Sequence, residues 1–307
     1  MKKLILLLLF IPIFSFGQEE EITLKTKSVD IKGSLLIPSV SEKVPVVLII
    51  AGSGPTDRNG NNPTMTNNSL MMLANELKKN GIASVRYDKR GIGESTNSGL
   101  QESDLRFENY VDDVEDWVEL LKENNRFSEI IVLGHSEGAL IGMIASQKNE
   151  VKKFVSVAGA GISAGDIIRE QLKAQPAVIL NQSLPIIEKL ENGERVENIP
   201  QMLYPLFRPS VQPYMISWFK YNPQIEIAKL NKPILIIQGT TDIQVSVSDA
   251  DKLASANKKS QKKIIEGMNH ILKEAELDRQ KNIQTYSMPN LPLKKELIEF
   301  IVKFIEE

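Results

Sequence analysis

A serine at position 136 stands in a sequence context that could make it a nucleophile. The pentapeptide GHSEG at residues 134–138 matches the pattern Gly-x-Ser-x-Gly, in which a sharp turn between a strand and a helix projects the serine beyond a sheet. The flanking glycines leave room for this strained backbone. An apolar stretch at residues 129–133 precedes the motif and a helical pattern follows it, so the context predicts such a turn at Ser136.

The same pattern occurs a second time, as GISAG at residues 161–165, so context must discriminate between two serines. Ser163 lies five residues beyond the end of its predicted strand, after a Gly-Ala-Gly stretch. Asp166 follows it at the spacing that is typical of a capping box at the start of a helix. We therefore interpret Ser163 as an N-cap and Ser136 as the candidate nucleophile.

A serine hydroxyl needs a base to accept its proton, and in this motif class the base is a histidine held by a carboxylate. The chain contains two histidines and no cysteine. His135 is adjacent to the serine, where its side chain would project away from the hydroxyl, so we expect it to pack and form hydrogen bonds. His270, in a loop after a short predicted strand, is left as the candidate base.

The carboxylate that would hold this histidine should lie between the serine and the histidine in the chain. Asp242 fits best because it follows a buried strand predicted at residues 233–238, and ligands bind at the carboxyl ends of parallel strands. Asp249 and Asp251 are rivals, which we interpret as solvated charges in the first turn of a helix.

An oxyanion formed by nucleophilic attack needs two backbone N–H donors. One is predicted from Glu137, the residue after the nucleophile, at the start of its helix. The other should come from the loop after the apolar run at residues 44–51, where Ser53 follows Gly52 and Gly54 lets backbone approach a ligand. A simple Gly/Pro turn is the alternative interpretation of that loop.

Alternating strands and helices are predicted to position these residues. A hairpin is predicted over residues 22–37, and apolar runs predict further strands at residues 44–51, 82–87, 129–133, 153–158, 233–238 and 262–265. Amphipathic patterns predict helices at residues 69–80, 110–124, 137–148, 249–256 and 293–306. Repeated β-α units with buried strands predict an α/β fold, with a mostly parallel sheet covered by helices on both faces.

Residues 159–221 interrupt this alternation. They contain six prolines, a helical pattern over residues 167–190 and no predicted strand. We interpret them as a helical lid inserted over one end of the sheet, not as a separate domain. Some of the large apolar side chains could line a pocket, although we expect most to serve core packing: Met202, Leu203, Tyr204, Phe207, Tyr214, Met215, Trp218, Phe219 and Tyr221.

Two further segments, GSGPTDRNGN at residues 52–61 and YDKRGIGES at residues 87–95, complete an ordered set of motifs. Together the motifs resemble the α/β-hydrolase superfamily and, more narrowly, secreted bacterial carboxylesterases related to serine aminopeptidase-like hydrolases. The resemblance covers residues 22–307. It implies one α/β-hydrolase domain with a helical lid, a triad of Ser136, Asp242 and His270, and an oxyanion hole formed by Ser53 and Glu137.

Two positions qualify this resemblance. Many members of the superfamily carry histidine in a His-Gly pair where this chain has Ala51, so the geometry of the oxyanion loop follows less directly from the family pattern. Arg90 is expected to support loop structure near the site and is assigned no catalytic role.

The resemblance implies a serine hydrolase that cleaves small-molecule carboxylic esters of small to medium acyl chains through an acyl-enzyme intermediate and needs no cofactor. A peptidase of aminopeptidase type, or an acyltransferase, would use the same triad. An acidic patch that binds a substrate amino group would favour the aminopeptidase. Four glutamates of the lid are compatible with such a patch, but we interpret them as solvated helix charges: Glu188, Glu191, Glu194 and Glu197. A non-catalytic binding protein is disfavoured because serine, acid and histidine occur in order.

The composition of the chain excludes further classes of protein. The 307 residues are 42% hydrophobic with a net charge of −2, which excludes a disordered chain and predicts no nucleic-acid partner. No metal site is predicted, because residues 57–68 have Asn62 and Asn68 at the sixth and twelfth positions, where a calcium loop needs glycine and glutamate. Residues 1–17 are predicted to be a secretory signal peptide, which places the mature protein in the periplasm or outside the cell without a stable membrane anchor.

Overall fold

A computed structural model describes residues 19–97 and 99–307 of the chain. The signal peptide predicted for residues 1–17 lies outside the described residues. Within the described part, no helix is long and apolar enough to cross a membrane.

Eight strands form a single sheet at the centre of the molecule. They are β1 (Glu20–Lys25), β2 (Asp30–Leu36), β3 (Val44–Ile50), β4 (Ala83–Tyr87), β5 (Phe127–His135), β6 (Val151–Val157), β7 (Ile234–Gly239) and β8 (Ser260–Ile265). Their order is β1-β2-β4-β3-β5-β6-β7-β8. The β1–β2 and β2–β4 pairs are antiparallel, and every other neighbouring pair is parallel. The predicted hairpin and the predicted mostly parallel sheet are therefore confirmed.

Eleven α-helices are present among the described residues. Those outside the 159–221 segment are α1 (Ser69–Lys79), α2 (Phe107–Lys122), α3 (Glu137–Ala145), α8 (Pro223–Ala228), α9 (Val247–Ala256), α10 (Arg279–Gln284) and α11 (Lys295–Glu306). Those within it are α4 (Ala164–Leu172), α5 (Ala177–Glu191), α6 (Tyr204–Phe207) and α7 (Gln212–Trp218). The single helical pattern expected over residues 167–190 is thus two helices, because Pro176 interrupts it.

The sheet separates two apolar layers, and β3 shows how the sequence builds both. Successive side chains of a strand point to opposite faces. Accordingly Val46, Leu48 and Ile50 pack with α2 and α3, whereas Val47 and Ile49 pack with α1 and α11. A strand that is apolar at every position is therefore buried on both sides, which explains its continuous apolar run.

The 159–221 segment forms an apolar cluster of its own. Its buried side chains include Ile167, Ile187, Leu190 and Phe207, all from α4, α5 and α6. No strand occurs between residues 159 and 221, all of which the structure describes. The segment follows β6, which neighbours β5 in the sheet, and its residues Ile167 and Met215 line one cavity with Ser136, so it lies beside the candidate site.

Candidate active site

Ser136 occupies a strained turn between β5 and α3. Its backbone has φ 57° and ψ −123°, a combination that a residue with a side chain rarely adopts. A Cβ atom at Gly134 would lie 2.1 Å from the Gly138 carbonyl oxygen, and one at Gly138 would lie 2.5 Å from the Ile50 carbonyl oxygen. Because backbone blocks both positions, glycine is required on each side of the serine.

His270 and Asp242 form a buried hydrogen-bonded pair. His270 Nδ1 lies 2.8 Å from Asp242 Oδ2, with the two side chains 6% and 0% exposed. The other carboxylate oxygen accepts the backbone N–H groups of Gln244 and Val245 at 2.8 and 3.0 Å. Burial alone would raise the pKa of Asp242, but His270 and these N–H groups lower it below its ordinary value. The carboxylate is therefore held charged against the imidazole.

His135 links this pair to the serine turn. Its Nε2 lies 2.7 Å from the backbone oxygen of His270, and the two imidazole rings are 4.9 Å apart. Burial, with a smaller contribution from His270, lowers the pKa of His135 to about 4. The expectation that His135 packs and forms hydrogen bonds is confirmed, and this contact brings His270 beside the residue that precedes Ser136.

The Ser136 hydroxyl makes no hydrogen bond to any described residue, including His270. Hydrogen bonds of catalytic groups are often long without substrate and shorten in the reacting complex. The structure therefore brings the three predicted triad residues to one edge of the sheet, and their catalytic roles stay a prediction.

The two predicted oxyanion donors flank the same serine. Ser53 and Glu137 line a cavity together with Ser136. A Cβ atom at Gly52 would lie 3.1 Å from the Ser136 Cβ, so the loop after β3 contacts the serine directly. Neither the Ser53 nor the Glu137 backbone N–H donates to any residue that the structure describes. Both groups are thus free to donate to a ligand, as an oxyanion hole requires.

A buried ion pair at this site was not predicted from the sequence. Lys89 Nζ donates to Glu137 Oε2 at 2.8 Å and to the Gly52 carbonyl oxygen at 2.6 Å. The hydroxyl of Tyr214, in α7, donates to Glu137 Oε1 at 2.6 Å. Burial and the Glu137 carboxylate raise the pKa of Tyr214 well above its ordinary value, so its hydroxyl stays a donor. The available sequence signal was that Lys89 lies two residues after the end of β4, at the same sheet edge as Ser136.

The cavity beside Ser136 has a volume of about 280 Å³. Glu137 is the one carboxylate among its lining residues, and both of its oxygens are engaged by Lys89 and Tyr214. Most of the lining is apolar and includes Leu140, Ile162, Ile167, Ile168, Met215 and Trp218. The site can therefore enclose an apolar group next to the serine.

The large apolar side chains of residues 159–221 lie at buried, cavity-lining or exposed positions. Leu203, Phe207 and Met215 are buried, as expected, whereas Met202 and Tyr204 are 55% and 51% exposed. The four glutamates of this segment are exposed, as predicted, and lie outside the cavity lining: Glu188, Glu191, Glu194 and Glu197. The expectation that all four are helix charges was wrong for Glu194 and Glu197, because α5 ends at Glu191.

The rival residues have clear structural roles. Ser163 caps α4, because its hydroxyl accepts the Asp166 N–H at 3.3 Å and donates to that carboxylate at 2.7 Å, which confirms the N-cap interpretation. The expectation that Asp249 is solvated was wrong: it is buried, and its Oδ1 accepts the Gly161 N–H at 3.0 Å. Packing of the Gly161 loop against the start of α9 excludes water from this carboxylate.

Two other charged residues match their predicted roles. Asp251 is exposed and pairs with Lys262, as expected of a solvated helix charge. Arg90 pairs with Asp113 of α2, with Nε 3.1 Å from Oδ2. This ion pair ties the loop after β4 to a helix and confirms a structural role for Arg90.

Solved structures with the same architecture decide the fold. The alpha/beta hydrolase GrgF from Penicillium sp. sh18 matches with a TM-score of 0.62 at 18% identity, over 94% of this chain and 98% of that one. Est1E from Butyrivibrio proteoclasticus, with ferulic acid bound, matches with a TM-score of 0.64 at 17% identity, over 93% and 100% of the two chains. The chain has the α/β-hydrolase fold.

The chain also resembles known proteins in sequence. The family model described as serine aminopeptidase, S33, matches residues 66–197. Esterase EstD from Thermotoga maritima is 27% identical over 264 residues, which cover 83% of this chain. The chain spans about 60% of the length of that relative. The resemblance to α/β-hydrolases stated from the motifs is confirmed.

Proposed function

We propose that this α/β-hydrolase is a serine carboxylesterase. The observation that carries the proposal is the 2.8 Å hydrogen bond between His270 and Asp242, next to the strained turn at Ser136. A carboxylate, an imidazole and a serine hydroxyl in this chain order are the groups that acyl transfer requires. The relationship to esterase EstD supports the same conclusion.

The proposed reaction proceeds in two steps. His270 Nε2 accepts the proton of Ser136 Oγ as that oxygen attacks the ester carbonyl carbon. The backbone N–H groups of Ser53 and Glu137 stabilise the resulting oxyanion, and the alcohol leaves with the proton from His270. Water then hydrolyses the acyl-enzyme by the same route. Asp242 holds the imidazole and stabilises its protonated form.

The substrates that we propose are esters with small to medium acyl chains. The cavity beside Ser136 is mostly apolar and has a volume of about 280 Å³, which suits an acyl group of limited length. An aminopeptidase would need a free carboxylate to bind the substrate amino group. Both oxygens of Glu137 are already engaged, so this cavity favours an ester over an aminoacyl substrate.

A screen of substrates tests the proposal directly. p-Nitrophenyl esters of increasing acyl length are compared with aminoacyl-p-nitroanilides, with Ser136→Ala as the control. We expect turnover of the shorter esters, a decline at longer acyl chains and no turnover by the variant. Turnover confined to the anilides would support the peptidase, and addition of alcohol acceptors that diverts the acyl group from water would reveal an acyltransferase.

We also propose that the protein acts in the periplasm or outside the cell. The support is the pattern of residues 1–17, with a basic start, an apolar run and small residues at its end. Cell fractionation of the full-length chain, compared with a version that begins at Gln18, tests this proposal. Equal distribution of the two proteins among the fractions would contradict it.

A further inference from the structure

Lys89 is one of the most deeply buried side chains in the described residues, at 1% exposure. Its ammonium group donates to the Gly52 carbonyl oxygen at 2.6 Å and to Glu137 Oε2 at 2.8 Å. The ring of Tyr110 lies 5.0 Å from the same Nζ atom. Burying a lysine is costly unless every donor is used, so this arrangement calls for a reason beyond packing.

The Gly52 carbonyl belongs to the same peptide unit as the Ser53 N–H. A peptide unit is planar, so fixing its carbonyl also fixes the direction of its N–H. A cation that donates to the carbonyl polarises the unit and makes the N–H a stronger donor. Lys89 therefore acts on the Ser53 N–H, which the proposed mechanism uses as one donor of the oxyanion hole.

Glu137 connects the same lysine to the second donor of the oxyanion hole. Its backbone N–H is the second predicted donor, and its side chain is the partner of Lys89. The lysine also neutralises a carboxylate that would otherwise repel a developing oxyanion a short distance away. Tyr214 binds the remaining oxygen of Glu137 and so joins α7 of the lid to this arrangement.

We propose that Lys89 is a positioning residue that assembles the oxyanion hole by orienting the Gly52–Ser53 peptide and the Glu137 side chain together. This inference rests on the proposed esterase function. It assigns Lys89 no contact with substrate. The residue acts through two backbone donors, so its effect falls on the transition state and not on the ground state of the bound ester.

The test removes the charge without leaving a buried ion unpaired. In the double variant Lys89→Met/Glu137→Gln, the Glu137 position keeps its backbone N–H and an oxygen that can accept from Tyr214. Kinetic constants are measured with the best p-nitrophenyl ester. Affinity is measured for an alkyl boronic acid, which adds to the serine as a tetrahedral anion.

We expect kcat to fall by about 10- to 100-fold with KM within about threefold, since removing one oxyanion donor costs about 10²- to 10³-fold. The boronic acid should lose affinity by a similar factor to kcat. The matched control is Lys232→Met, because Lys232 Nζ donates to the carbonyls of Lys148 and Val151 at 2.6 and 2.7 Å, at the opposite end of the sheet. That variant should lose stability and keep kcat.

A folded double variant with kcat within threefold of wild type would overturn the inference. So would a loss confined to KM with unchanged boronic acid affinity. If circular dichroism shows that the double variant is unfolded, Lys89→Gln, which keeps a neutral donor, is judged by the same two criteria. The esterase function itself would be refuted if the wild-type chain hydrolysed no ester or if Ser136→Ala stayed active. Either result is distinct from a Lys89 variant with unchanged activity, which would refute only the role of Lys89.

Discussion

Residues 134–138 and 161–165 share one five-residue pattern, and the serine of each lies between a strand and a helix. Ser136 has φ 57°, whereas Ser163 has the ordinary N-cap values of φ −56° and ψ 156°. Asp166 engages the hydroxyl of Ser163, whereas no described residue engages that of Ser136. The pattern alone does not create a strained turn. The strand must run directly into the serine, as β5 does and β6 does not.

The glycines of the two segments differ in what surrounds them. At Gly134 and Gly138 an added Cβ would collide with backbone atoms, which cannot move without breaking β3 or α3. In the second segment, an added Cβ at Gly161 would also meet backbone, 2.3 Å from the Asp249 carbonyl oxygen. At Gly165 it would lie 2.1 Å from Oε1 of Glu191, the end of a flexible side chain. Backbone packing therefore fixes Gly134, Gly138 and Gly161, whereas the side chain that faces Gly165 can move aside.

The largest difference between the two serines should appear in activity. Ser136→Ala should lower ester turnover by roughly 10⁶-fold, because loss of a triad nucleophile has that effect in related enzymes. Ser163→Ala should leave turnover within about twofold of wild type, because its hydroxyl is committed to Asp166. Steady-state assays of both purified variants measure this difference, and the reverse ranking would show that the nucleophile lies in residues 161–165.

The glycines should differ in their effect on stability. Gly134→Ala should lower the free energy of unfolding by about 3 kcal/mol, because its Cβ would be forced onto the Gly138 carbonyl. Gly165→Ala should change it by less than about 1 kcal/mol, since the helix gains a better former while Glu191 moves aside. Urea unfolding of each variant provides the values. Equal losses would show that the first turn relaxes as readily as the second.

The histidine of the first segment should make stability depend on pH. Unfolded His135 takes up a proton below about pH 6.5, whereas the folded residue, with a pKa of about 4, does so only in stronger acid. Falling pH therefore favours the unfolded chain across this window. Between pH 7 and pH 4.5, wild type should lose about 2–3 kcal/mol more than His135→Gln. Parallel losses in urea titrations of the two proteins would contradict this.

The smallest predicted effect concerns the cap of α4. Ser163→Ala removes the acceptor for the Asp166 N–H and should cost about 1 kcal/mol of unfolding free energy. Ser163→Asp, which retains an acceptor, should recover most of that loss. Thermal unfolding of the three proteins measures the series. If Ser163→Asp did not recover the lost stability, the Ser163 hydroxyl would have to stabilise the protein through a partner other than Asp166.

Local sequence information was enough to predict the sheet and the candidate triad. Apolar runs identified the buried strands, and Asp242 and His270 followed from their positions after β7 and β8. Two facts singled out His270 as the candidate base: the chain has two histidines, and His135 lies beside the serine, where we expected it to pack.

Contacts between segments that are distant in the chain could not be predicted from local sequence information. Lys89 and Glu137 are 48 residues apart, and Glu137 and Tyr214 are 77 residues apart. Asp249 was expected in solvent because first-turn acidic residues usually are, but Gly161 packs on it from 88 residues away. Periodicity describes one segment at a time, and no motif of this chain pairs Lys89 with Glu137, Glu137 with Tyr214, or Gly161 with Asp249.

The separate apolar cluster of residues 159–221 affects how the substrate preference of this protein can change during evolution. Ile167, Ile168 and Met215 belong to that cluster and also line the cavity, whereas Ser136 is held by the sheet. A change in size at these lid positions reshapes the cavity while the sheet interior stays as it is. Under selection for new substrates, we expect a library to accept substitutions in the lid and to discard nearly all of those at residues 134–138.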